Sequence, residues 1–151
     1  MRVKTKFLLS ALALFSAVFG WTLGGQAFRA TSIRRIADCP SSPNCLSSLS
    51  TGGRHWIAPL ALDVSPDKAF QCLKEIIRQT QRATIVVDEE GYIRTEFKTA
   101  LGFVDDVELE LDTGNRSILM RSASRVGYWD LGVNRRRLEA VRAAFDSQCG
   151  K

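Results

Sequence analysis

Phe103-Val104-Asp105-Asp106-Val107-Glu108-Leu109-Glu110-Leu111-Asp112-Thr113-Gly114-Asn115-Arg116-Ser117-Ile118-Leu119-Met120-Arg121 is the most regular stretch of this chain. Side chains alternate across a strand, so 103–111 places Phe103, Val107, Leu109 and Leu111 on one face. Asp105 falls in phase with them, while Asp106, Glu108 and Glu110 point the other way and are expected to form a solvated acidic stripe, laddered against Arg94 and Lys98. Asp112-Thr113-Gly114-Asn115 has turn chemistry, and 117–121 resumes as a strand, which makes a hairpin. A second hairpin is read upstream, 84–87 and 92–99 about Asp88-Glu89-Glu90-Gly91. Between 56 and 62 a short edge strand is expected, limited by Pro59, which cannot donate to a ladder. Ser65 with Pro66 and Asp67 opens a helix that runs to about 81. Asn134 is read as the N-cap of a last helix, with Leu138, Val141, Ala144 and Phe145 at helical spacing.

This order gives an α+β fold, an antiparallel sheet of about five strands with two helices on one face. The division is 1–28 as signal peptide or membrane anchor, 29–37 as tether and 38–151 as a single domain.

An inward-facing Asp105 needs a partner, because burying an unpaired carboxylate is expensive. The segment 121–139 supplies candidates. Arg135, Arg136 and Arg137 fall in the first turn of the last helix, where the macrodipole already presents positive charge. Arg121 and Arg125 precede them. A structural ion network of Asp105, Asp106 and Asp130 with these arginines is therefore expected, locking the last helix to the sheet. Asp105 and Asp106 on the strand can neutralise two cations while the segment 121–139 carries five arginines, which leaves a surplus. Arg121, Arg125, Tyr128, Asn134, Arg135, Arg136 and Arg137 are on that ground candidates for holding an anionic ligand or a partner protein, with Tyr128 and Trp129 over the site.

Four cysteines are most simply two disulfides in an exported chain. Cys39 and Cys45 bracket the turn-forming Pro40-Ser41-Ser42-Pro43-Asn44. Cys72 lies on the apolar stripe of the first helix and Cys149 follows the last. Of the three pairings four cysteines allow, Cys39–Cys45 with Cys72–Cys149 is favoured. The spacings and a single histidine argue against a metal site, and no cofactor motif is present.

Arg2, Lys4 and Lys6 followed by the uncharged run 7–23 form an export signal, either cleaved after Ala27 or kept as a membrane anchor. The expected location is outside the cytoplasm: anchored in the inner membrane facing the periplasm, or periplasmic or secreted after cleavage. The formal charge of +5 belongs to this end. Six of the 21 basic residues precede position 38 and none of the 16 acidic ones do, which leaves −1 over 38–151. A nucleic-acid surface is not indicated.

Cys39-Pro40-Ser41-Ser42-Pro43-Asn44-Cys45-Leu46-Ser47-Ser48, Gly102-Phe103-Val104-Asp105-Asp106-Val107-Glu108 and the segment 121–139 together resemble the domain of unknown function 1499 family, over about 36–145. The resemblance implies a small domain, usually exported or membrane-tethered, found in bacteria and photosynthetic eukaryotes and without an established activity. The matching positions are Cys39, Cys45, Asp105, Asp106, Arg121, Ser122, Ser124, Arg125, Gly127, Asp130, Asn134, Arg135, Arg136 and Arg137. Trp129 departs from the pattern, which has a small polar residue there.

No catalytic residue is assigned. His55, the single histidine, would have to serve any Ser–His–acid arrangement, and Ser122 and Ser124 lack the Gly-x-Ser-x-Gly turn. Asp105 and Asp106 face opposite sides of a strand and cannot flank one bond. A non-catalytic envelope module, binding or structural, is the favoured reading. Its alternative is a small hydrolase or transferase acting on a phosphorylated or carboxylated substrate, with Asp105 or Asp130 as acid or base.

Overall fold

The computed structural model describes residues 34–149. The signal or anchor over 1–28 and the tether as far as 33 lie outside the described residues. Six antiparallel strands form one sheet: β1 (Cys45–Ser47), β2 (Leu60–Ala61), β3 (Ala83–Glu89), β4 (Tyr92–Lys98), β5 (Val104–Asp112) and β6 (Ser117–Ser124). Their order is β1-β6-β5-β4-β3, and β2 shares the outer edge of β6 with β1. Helices α1 (Pro66–Gln79) and α2 (Val133–Gln148) pack on one face. The α+β architecture read from the sequence is the one observed, with six strands rather than five.

Two local differences have plain causes. Pro59 holds the 56–62 segment out of the ladder except at Leu60–Ala61, which pair with Ile118 and Ser117. The short strand β1 falls inside the cysteine loop, where Cys45 pairs with Ala123 and Ser47 with Arg121. Both hairpins have the expected partners, and a register shift between Ile85 and Val87 turns Val87 to the opposite face.

On the helix face, Phe70, Leu73 and Ile77 of α1 meet Leu138, Val141 and Phe145 of α2 over Ile93, Phe97, Val107, Leu109, Ile118 and Met120. Cys72–Cys149 staples the two helices, and Cys39–Cys45 closes the loop before β1. Both pairings are the favoured ones.

The opposite face is not the solvated stripe expected of Asp106, Glu108 and Glu110. Glu108 and Glu110 are buried, because the segment about Arg35 and Ile36 lies over that face and Ile36 and Leu49 pack against Tyr92 and Leu119. Glu110 accepts the backbone N–H of Arg35 and Ile36 at 3.0 and 3.1 Å. Glu108 accepts the Tyr92 hydroxyl at 2.9 Å and pairs with Arg121 at 2.7 Å. Arg94 and Lys98 form no ion pair among the described residues. Ile36, assigned to the tether by sequence, is thus part of the packed domain.

Candidate functional site

The end of the sheet defined by Lys98, Val104 and Ser124 carries two loops, residues 99–103 between β4 and β5 and residues 125–132 between β6 and α2. The first is tied by Thr99, whose N–H donates to the Phe103 carbonyl at 2.8 Å and whose hydroxyl accepts the Phe103 N–H at 3.0 Å. Strand pairing therefore begins at Val104. Phe103, placed on the core face by alternation, instead stands half-exposed at the loop end.

In the second loop Asp130 organises the chain. Its two carboxylate oxygens accept the N–H groups of Gly132 (3.0 Å) and Asn134 (2.8 Å). It caps α2 and sets a negative charge against the macrodipole of a helix whose first turns hold three arginines. Two sequence-based assignments change here. Asp130 is a capping residue rather than a member of an ion pair, and Asn134 lies within α2 rather than at its N-cap. The Asn134 side chain is fully buried, accepting from Ser122 Oγ and Arg137 and donating to the Asn44 carbonyl at 2.9 Å and to Ser124 Oγ at 3.1 Å.

The five arginines separate into two groups. Arg137 is largely closed from solvent beside the buried Asp105, with side-chain exposures of 10 % and 3 %, and its guanidinium lies 5.0 Å from the centre of the Phe97 ring. It also donates to Ser122 Oγ at 3.1 Å and Asn134 Oδ1 at 2.7 Å. Arg125 grips Asp106 with two bonds of 2.8 Å and also reaches Glu96 at 2.6 Å. The Arg125 hydrogen bonds hold the Asp106 carboxyl below its usual range, against a smaller opposing effect of burial. Arg121 pairs with Glu108, and burial first, then the Glu108 hydrogen bond, keeps the neighbouring Tyr92 hydroxyl protonated well past its ordinary range.

Arg135 and Arg136 are different: both are exposed and meet only backbone carbonyls, Arg135 those of Arg54 and Trp56, Arg136 that of Leu131. The cation surplus inferred from sequence thus comes down to these two. The sequence reading counted two carboxylates near the loop, whereas Glu96 and Glu108 also take part.

Between the two loops lies a cleft of about 450 Å³. Leu101, Phe103, Val126, Trp129, Leu131 and Val133 form its walls, and Asp105 and Ser124 reach it from the strands. Tyr128 points to a smaller recess of about 290 Å³, which shares Trp129 and Asp130 with the first and is bordered by Arg54 and Arg135. Leu101 (84 % exposed), Trp129 (72 %) and Leu131 (79 %) are the most open large apolar side chains described. Leu131 has φ 52° and is flanked by Gly132 at 76°. A left-handed leucine costs roughly 1–2 kcal/mol, and the Asp130 cap and the Arg136 bond to its carbonyl hold it there.

Sequence reasoning missed Leu101, Phe103, Val126 and Leu131 as a group, and Arg54. The available signal was large apolar residues inside segments otherwise made of turn residues.

For chemistry the geometry offers little. Asp105 is engaged by Arg137, and both oxygens of Asp130 are taken by amides. The His55 ring faces the Cys45 carbonyl through Nδ1 at 3.0 Å and Arg54 through Nε2. Among the described residues no group of acidic, histidine or cysteine side chains is arranged to hold a metal, and no helix is long and apolar enough to cross a membrane.

Comparison with known proteins returned no match among curated proteins and none among solved structures. The family model described as Protein of unknown function (DUF1499) matches residues 35–145, from the strap beside Glu110 to the core phenylalanine of α2. The chain belongs to that family.

Proposed function

We propose that this is a non-catalytic binding module of the cell envelope, and that its ligand site is the cleft between residues 99–103 and 125–133. The ligand class is apolar. The observation that carries this reading is the placement of exposed apolar side chains. Of the eight large apolar residues standing exposed, Leu101, Phe103, Val126, Tyr128, Trp129 and Leu131 belong to these two loops, leaving only Trp56 and Val86 elsewhere among the described residues. Scattered apolar exposure is ordinary; a contiguous patch rimming a concave site marks a binding surface. Beneath it the Asp105–Arg137–Asn134–Ser122 network is satisfied internally and gives the walls a fixed base. The export signal in 1–28 supports the envelope location.

The test is a titration of residues 28–151 with an uncharged naphthylamine fluorophore. Saturable, single-site enhancement is expected, competed by a medium-chain alkyl ligand. Phe103→Ser and Val126→Ser should each weaken it while circular dichroism and the thermal midpoint stay near those of the parent. Unsaturable binding, or binding indifferent to both substitutions, would remove the cleft as the site.

A further inference from the structure

The same end of the domain has a charge pattern that the apolar cleft alone does not explain. Arg54, Arg135 and Arg136 surround the 128–132 loop, and none has a carboxylate partner among the described residues. Lys98, likewise free of an ion pair, ends β4 where the other loop begins, with its N–H on the Arg82 carbonyl. The acids of this end are already engaged: Asp105 and Asp106 by arginines, Asp130 by the α2 amides. Apolar tips including a tryptophan and a tyrosine, ringed by three arginines against the single carboxylate of Asp130, match the water–lipid boundary, where aromatic rings sit at headgroup level and basic side chains meet phosphates.

We infer that the loop end of the domain docks on a bilayer surface containing anionic phospholipid. Leu101, Trp129 and Leu131 enter the acyl boundary, and Arg54, Arg135 and Arg136 meet the phosphates. This rests on the reading of the two loops as the apolar binding surface, and it names the source of the ligand. The basic n-region and the apolar run 7–23 favour a membrane over a protein partner, since they bring the chain to a membrane at least during export. The strained display of Leu131 and the two recesses that share Trp129, one walled by Leu101, Phe103 and Val126 and the other bordered by Arg54 and Arg135, provide for an acyl chain and a headgroup.

The experiment uses the full chain in vesicles, with Trp21→Phe and Trp56→Phe leaving Trp129 as the single tryptophan. Emission is read with brominated phosphatidylglycerol and, separately, with brominated phosphatidylcholine. Docking predicts blue-shifted, quenched Trp129 emission in the anionic vesicles, weaker quenching in the zwitterionic ones, and loss of the difference at high salt. Arg54→Gln and Arg136→Gln should each lower the docked-to-undocked ratio about fivefold, while Arg94→Gln, on the opposite face of the sheet, should not change it. Absence of quenching in both vesicles overturns the inference, as does equal quenching in the two. If the fluorophore still fills the cleft while Trp129 stays unquenched, binding stands and membrane docking falls. If both fail, the cleft reading falls as well.

Discussion

Removing the carboxylate of Asp105 is the most demanding perturbation this structure offers. Asp105 and Arg137 are nearly closed from solvent, and the guanidinium has further acceptors in Ser122 and Asn134 and a ring beneath it in Phe97. Asp105→Ala leaves a buried cation with only neutral partners, a situation that costs about 3–5 kcal/mol. Asp105→Asn keeps one acceptor oxygen and loses the charge, so its cost is about 1.5–3 kcal/mol, the range for a hydrogen bond to a charged group. A domain of this size loses roughly 4 °C of thermal midpoint per kcal/mol, so the alanine variant should melt about 12–20 °C lower. Arg137→Met leaves the opposite orphan and should cost a similar amount. Combining Asp105→Ala with Arg137→Met removes both charges, and the double variant should be no less stable than the worse single one, a coupling of at least about 2 kcal/mol. Arg136→Ala is the contrast, since that side chain is exposed and bonds only the Leu131 carbonyl; it should cost less than about 1 kcal/mol. The assay is urea unfolding of residues 28–151 under oxidising conditions with unchanged m-values. Additive single costs, or an Asp105→Ala cost below about 1 kcal/mol, would refute the assignment of this pair as the lock between α2 and the sheet.

The two disulfides, the α2 cap and the Asp106 carboxylate each give a further expectation. Replacing Cys72 and Cys149, 77 residues apart, should cost about 4.5 kcal/mol by chain-entropy arithmetic, against about 2 kcal/mol for Cys39 and Cys45, six apart, read as paired alanine variants in urea. Asp130→Ala should cost about 0.5–2 kcal/mol through loss of the α2 cap, with hydrogen exchange accelerating at the Gly132 and Asn134 amides. Because Arg125 depresses the Asp106 carboxyl in the folded chain, its stabilisation is present above the ordinary carboxyl value of 3.8 and disappears as pH falls through the lower folded value. Asp106→Asn should accordingly flatten the acid limb of stability below about pH 4; an unchanged limb would contradict the pairing.

Much of the frame was legible from local pattern. Alternation over 103–111 located β5 and the inward Asp105, and Pro66 marked the start of α1, because those features depend only on backbone geometry and solvent preference. The fate of Glu108 and Glu110 was not legible. Their phase was read correctly, but the strap that covers them comes from Arg35 and Ile36, 75 and 74 residues before Glu110, and no local pattern announces that packing. Asn134 was misread for a related reason: as an N-cap it satisfies local chemistry, yet Asp130 does that work and frees the amide to join Asn44, Ser122 and Ser124 inside the fold. Counting charges along the arginine segment missed Glu96 and Glu108, which neighbouring strands bring alongside Arg125 and Arg121. The apolar loop residues were overlooked because Gly102, Gly127 and Gly132 mark turns, and turns are read as polar connectors.

The most direct test of the binding account locates the ligand on the backbone. Amide chemical shifts of isotope-labelled residues 28–151 would be followed during titration with a medium-chain alkyl ligand below its micellar concentration. The account predicts saturable shifts concentrated at residues 99–103 and 125–133, fading along β5 and β6 toward the 113–116 turn. Shifts concentrated away from these two loops, for example over α1 and β3, or no saturable shifts at all, would contradict it.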